Sequence, residues 1–136
     1  MKIDALLIEK ANDAIKETGI VNKDGQYDKV FKGYVSSFGA SIAQAGLIPT
    51  IIFFEAKSEQ AKERPKLVKA LMLLLDKEYQ VESLAQSLLK KRADNGKVIF
   101  EKEEKLLLKK VTVAMVAIKL ALRLYTEKKQ KVNGDD

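Results

Sequence analysis

Apolar residues recur three and four positions apart along most of this chain, the spacing of one face of an α-helix. The first such stripe, Ile3, Leu7, Ala11, Ala14 and Ile15, predicts a helix from Ile3 to about Thr18, with Gly19 placed to end it. Val21 to Gln26 reads as a connecting loop, its Asp24-Gly25 pair being turn chemistry. Phe31, Val35, Phe38, Ile42 and Ala45 share a face of a second helix, Tyr27 to Ala45. Beside them Gly33, Ser37, Ser41 and Ala45 form a line of small residues that would let another helix approach closely. Gly46 is placed to stop this helix, and Pro49 suits the first turn of a third that runs through Thr50 to Lys57. A fourth starts near Pro65 and continues to about Tyr79, and a fifth spans Glu82 to Arg92 before an Asp94-Asn95-Gly96 turn. The last and longest runs from Phe100 to Lys129, with Leu107, Val111, Ala114, Ile118, Ala121 and Tyr125 on one face. Its early Glu101, Glu103 and Glu104 and late Lys128 and Lys129 both suit the helix dipole. No strand pattern competes. The expectation is an all-α, single-domain bundle of about six helices over residues 1–131, with a frayed tail at 132–136.

One segment stands apart. Residues 33–54 carry no charge, in a chain that is 32% charged. At about 1.5 Å per helical residue such a run would nearly cross a bilayer. Gly46 and Pro49 interrupt it, however, and Ser36, Ser37, Ser41 and Gln44 stud it. It therefore reads as two helices folded about a corner and largely buried by neighbours, not as a membrane span. Met1 to Glu9 has acids within its short apolar run and does not read as a signal peptide, so a cytoplasmic protein is expected.

Composition narrows the chemistry. There is no Cys and no His, which removes the usual zinc ligands, disulfides and every nucleophile activated by an imidazole. No phosphate-cradling glycine loop or dinucleotide fingerprint is present. Three acidic groups bear on a metal-dependent nuclease: Asp24 with Asp28, Asp76 with Glu78, and Glu101 with Glu103 and Glu104. Asp76 and Glu78 fall on different helix faces, the Glu101 group is accounted for by the helix start, and Asp24 and Asp28 flank a turn. The chain is accordingly read as no enzyme, with no catalytic residue, metal ligand, cofactor or small-molecule substrate.

The cations are more informative. The formal net charge is +6, which favours an anionic partner. On the last helix Lys105, Lys109, Lys119 and Arg123 fall on one line, with Thr112 and Val116 at the intermediate steps and no acid among them. A solvated face would intersperse Glu with Lys, whereas charge of one sign suits a track for phosphates. Lys90, Lys91 and Arg92 form a second cluster, at a helix end where the dipole also favours cations. A third group around Lys57, Lys62, Arg64, Lys66 and Lys69 is diluted by Glu55, Glu59 and Glu63. No aromatic RNA-recognition motif accompanies these residues, so the recognition they support is of phosphates, without sequence readout.

The corner carries a family resemblance. Tyr34 near the start of a helix, then Ile42-Ala-Gln-Ala-Gly-Leu47, then Ile48-Pro-Thr-Ile-Ile-Phe-Phe-Glu-Ala-Lys57, resembles the small α-helical subunit of type III-B CRISPR effectors, the Cmr complex. The resemblance implies a non-catalytic subunit of an RNA-guided, RNA-silencing assembly in antiviral defence. Its partners would be other Cmr subunits, copies of itself stacked as a filament, and guide and target RNA held by the duplex backbone. Relatives commonly carry a basic residue and a Pro in the second helix, where this chain has Ser36-Ser-Phe-Gly-Ala-Ser41. Lys32 is then the nearest remaining charge on that helix, and it and Lys57 join the candidates because they lie beside the family junction. Two other readings stay open: a helical protein–protein adaptor without RNA contact, and a metal-dependent ribonuclease built on the acids above.

Overall fold

The computed structural model describes residues 3–129. Its helices are α1 (Ala5–Glu17), α2 (Val30–Ala45), α3 (Leu47–Glu55), α4 (Arg64–Leu73), α5 (Leu84–Asn95) and α6 (Lys97–Leu122). Two short strands, β1 (Gln26–Tyr27) and β2 (Thr126–Glu127), pair in parallel. The architecture is all-α apart from this ladder. The expected tail at 132–136, like the last residues of the expected domain, lies outside the described residues.

α6 is the spine. Leu107, Val111, Ala114, Ile118 and Ala121 are buried along it, and α1, α2, α4 and α5 all pack on it. α1 makes the broadest of these contacts, through Ala11, Ala14 and Ile15. Its start is set by Asp4, whose carboxylate accepts from Leu6 N at 2.9 Å and so satisfies a donor that the first turn leaves free. Phe38 and Phe54 join α2 to α3 with ring centroids 5.1 Å apart, and Tyr34 extends this aromatic group from Phe31 to Phe54.

The corner between α2 and α3 turns on one residue. Gly46 has φ of 90°, a conformation that a side chain would strain. Thr50, fully buried, secures the corner by donating to Gly46 O at 2.7 Å. That donation uses its single proton, so Ser41 Oγ, 2.8 Å away, must donate to Thr50. α3 consequently begins at Leu47, earlier than expected from Pro49, which falls within its first turn.

Five expectations are corrected. α2 begins at Val30, not Tyr27, because Tyr27 is drawn into the ladder with β2 and a bridge to Val21, while Asp28 Oδ1 accepts from Val30 N at 3.0 Å. α4 ends at Leu73; the chain then turns, Gln80 Nε2 donates to Leu75 O at 3.0 Å, and Tyr79 is buried from a separate 3₁₀ turn. α6 starts at Lys97 behind the positive-φ Gly96 and ends at Leu122, so Glu101 lies beyond its first turn and Tyr125 is not on its apolar face. The charge-free run is only half buried. Val35, Phe38, Leu47, Thr50, Ile51 and Phe54 point inward, but Ser36, Gly39, Ala40 and Ala43 face water. Of the small-residue line, Gly33, Ser37 and Ala45 are exposed and Ser41 is half-buried, and no described helix packs against the site of a Cβ on Gly33.

α5 is capped from another helix. Glu55, the last residue of α3, accepts from Leu84 N at 2.6 Å, from Ala85 N, and from Ser83 Oγ at 2.9 Å. A carboxylate here satisfies free N–H groups and meets the positive end of the helix dipole. Glu55→Ala is expected to cost about 1–3 kcal/mol, the range for a lost cap with a buried donor left open. The shift of the urea unfolding midpoint measures it, and an unchanged midpoint would show that water caps α5 equally well.

Candidate nucleic-acid interface

The helical register of α6 places Lys105, Lys109, Lys119 and Arg123 on one outer crest, opposite its buried stripe. All four are exposed, and none forms an ion pair among the described residues. At about 1.5 Å per residue they extend over roughly 27 Å. α6 buries one face, and from Lys105 to Arg123 every charge it carries on the other is a cation.

The crest divides two clefts. On one side, α2 and the last turns of α6 enclose a groove of about 470 Å³ lined by Tyr27, Lys32, Val35, Ser36, Lys119, Leu122, Arg123 and Tyr125. It continues along α2 as a second depression of about 340 Å³, which shares Val35, Ser36 and Lys119 and reaches Gly39, Thr112 and Val116. The floor is apolar or small, and three cations stand around its wider end. On the other side, Lys109 borders a separate cleft of about 280 Å³ beside Lys110, whose charge is met by Asp76 at 2.6 Å. The predicted line is thus real in space, but only Lys119 and Arg123 share a groove with Lys32.

Lys32 differs from its two neighbours. Its Nζ lies 2.5 Å from Glu127 Oε1, and the hydrogen bond and charge of Glu127 hold its pKa above the ordinary lysine value. Lys91 is engaged as well, 2.8 Å from Glu78 and 3.3 Å from Glu103, and 4.8 Å over the Tyr79 ring. Lys90 and Arg92 are exposed on α5 and line neither α6 cleft. Lys57 belongs to a cleft of about 430 Å³ at the α3–α4 connection, with Lys62, Lys66 and Lys69, where Glu59 also lies and Glu63 binds Lys66. The structure therefore distributes the candidates over three regions.

Five of the seven acids that bear on metal binding have partners for their side chains. Asp76 holds Lys110, Glu78 and Glu103 hold Lys91, Glu101 lies 3.9 Å from Lys97, and Asp28 caps α2. Among the described residues no three of them gather as a metal site. No described helix is long and apolar enough to cross a membrane.

Sequence reasoning missed that Tyr27 and Tyr125 line the groove and that Glu127 pairs with Lys32. Tyr125 follows α6, lines the groove and donates through its hydroxyl to Asn12 Oδ1, which ties the segment after α6 to α1. No local signal marks these residues, because their roles come from pairing β1 with β2.

Comparison with known proteins gives a family. Residues 7–115 match the family model described as CRISPR-associated protein (Cas_Cmr5). No curated protein and no solved structure matches the chain.

The Lys91 cluster yields a pH prediction. Burial, then the hydrogen bond to Glu103 at 3.0 Å, push the Tyr79 hydroxyl up to about 12. Its bond to Glu78, the main cause, also raises Lys91 above the ordinary value. Both groups hold their protons more firmly when folded, so their contribution is complete below the unfolded pKa values near 10 and is lost as pH climbs through the folded ones. Removing the hydroxyl by Tyr79→Phe should lower stability by a constant amount between about pH 7 and 9, with the gap to wild type closing from about pH 10 to 12. Urea unfolding across that range checks it; a gap that does not close would show that the hydroxyl is not the titrating group.

Proposed function

This chain belongs to the CRISPR-associated Cmr5 family, the small subunit of the type III-B complex, and on that premise we propose that it holds the guide–target RNA duplex by its backbone. Membership implies partnership with other Cmr subunits. Within that assembly the α6 crest and the α2–α6 groove take the phosphates, with Lys119 and Arg123 as the first contacts and Lys105 and Lys109 extending the track. The observation that carries the reading is that Lys119 and Arg123 stand exposed beside one groove without an acidic partner among the described residues. Such cations gain most from a phosphate, because each contact releases a counterion and breaks no internal pair. Lys90, Arg92 and Lys57 are secondary contacts, on surfaces that a duplex or a neighbouring subunit could reach. The chain contributes binding to antiviral RNA silencing and no bond-breaking step, and sequence is read by base pairing between guide and target.

Copies of the subunit stack on one another in this reading. Val98 and Ile99 are 71% and 64% exposed at the tip where α5 turns into α6, and Leu106 continues the apolar surface. Ile52 and Phe53 form another exposed apolar pair on α3. Apolar surface of this kind is characteristic of interfaces. The same surface favours a protein-only adaptor, which would retain its Cmr partners in a pull-down after nuclease treatment even when the α6 cations are reversed.

Two measurements test these proposals. Lys119→Glu with Arg123→Glu should weaken binding to an RNA duplex of any sequence by about tenfold or more at low salt. It should also flatten the log–log salt dependence by about two, near 0.9 per lost phosphate contact. Unchanged affinity removes α6 from the interface. Ile99→Glu should abolish concentration-dependent growth of the sedimentation coefficient; growth that persists places the stacking contact elsewhere.

A further inference from the structure

The third cation of the groove is occupied from within the chain. β2 runs parallel to β1, with Tyr27 in register with Glu127. Thr126 N donates to Gly25 O at 3.1 Å and Lys128 N to Tyr27 O at 2.9 Å, so backbone bonds on both sides of Glu127 fix its position. From there its carboxylate reaches Lys32, which lines the groove, with Oε1 2.5 Å from Nζ. The side chains are 61% exposed at Lys32 and 33% at Glu127. A pair so open to water contributes little to stability, so folding alone does not explain why it is built on a dedicated ladder. Its larger effect is on charge: it leaves Lys119 and Arg123 open and neutralises Lys32.

We infer that Glu127 is a built-in competitor for the groove, a carboxylate that occupies Lys32 in place of a backbone phosphate until the nucleic acid displaces it. This rests on the reading of the groove as a phosphate track. Carboxylate and phosphate oxygens offer an ammonium the same charge-assisted hydrogen bond, so one replaces the other without loss at Lys32. Displacement is nevertheless unfavourable overall, because Glu127 then stands unpaired beside the incoming phosphates. A small anion reaching one cation does not offset this. A backbone that already lies on Lys119 and Arg123 presents its next phosphate to Lys32 intramolecularly, at high effective concentration. The Glu127–Lys32 pair thus lowers affinity for stray anions and reserves full contact for a continuous strand along the groove.

The test uses the full chain and an RNA duplex of about 20 base pairs of arbitrary sequence, followed by fluorescence anisotropy over a salt series. Glu127→Gln keeps the β1–β2 backbone bonds, so its thermal melt should overlay that of wild type. It is expected to bind about two- to fivefold more tightly, with a salt slope steeper by about one phosphate contact. In a Lys32→Ala background the same change should have no effect. Glu82→Gln, which removes an equal charge from the exposed approach to α5, controls for net charge. The proposal is overturned by unchanged affinity, by tightening at unchanged slope, by an equal gain in Glu82→Gln, or by a gain that survives without Lys32. If Lys119→Glu with Arg123→Glu leaves binding intact, the groove reading itself fails and this inference with it. If that variant loses binding while Glu127→Gln behaves as wild type, only the competitor is lost.

Discussion

Leu107, Val111, Ala114, Ile118 and Ala121 lie one above another along α6, and covering that stripe from water is the requirement from which the remaining arrangement follows. α1, α4 and α5 cover it together with α2, and no single one of them is long enough to do so alone. Because the stripe faces inward, the positions opposite it must face out, and there the chain carries Lys105, Lys109, Lys119 and Arg123. The cationic crest is in this sense the complement of the core. Because α2 lies against the last part of α6, the crest also acquires a wall, and the wall turns two isolated cations into the edge of a groove.

The Gly46 corner sets how that wall is presented. α2 and α3 fold against each other through Phe38 and Phe54, and Thr50 resolves the polar cost of the bend by bonding the Gly46 carbonyl. With that inner face committed, the outer face of α2 carries Ser36, Gly39 and Ala40. Ser36 and Gly39 line the groove, and their small size keeps it open where larger side chains would fill it. Beyond Lys32, α2 carries no charge, for two reasons: burial on one side, and on the other a lining of small side chains.

Charge in this protein is divided between internal and external work. Lys91 is held by Glu78 and Glu103, Lys110 by Asp76, and Lys66 by Glu63, so a count of basic residues overstates what is available to a partner. Lys119 and Arg123 remain open at the place where the tertiary structure supplies a concave surface. The family match gives a small subunit of the Cmr complex, and the distribution of pairs shows which cations lack an acidic partner among the described residues.

The helices were legible in the sequence because side-chain direction within a helix depends only on local spacing. The buried faces at Ala11, Ala14 and Ile15, at Phe31, Val35 and Phe38, and at Leu107 to Ala121 follow from that period alone. So does the crest of α6, together with its single sign of charge. The ends of α2 and α6 were not legible, because Tyr27 and Glu127 leave helical geometry only to pair with each other from opposite ends of the chain. Nor was the state of each lysine. An ion pair is a matter of a few ångströms between surfaces brought together by packing, and no spacing in sequence encodes that Lys32 meets Glu127 while Lys119 meets no acid among the described residues. The sequence by itself determined the elements, their apolar faces and the sign of the surface; the tertiary structure alone decided which cations share a groove and which one is already taken.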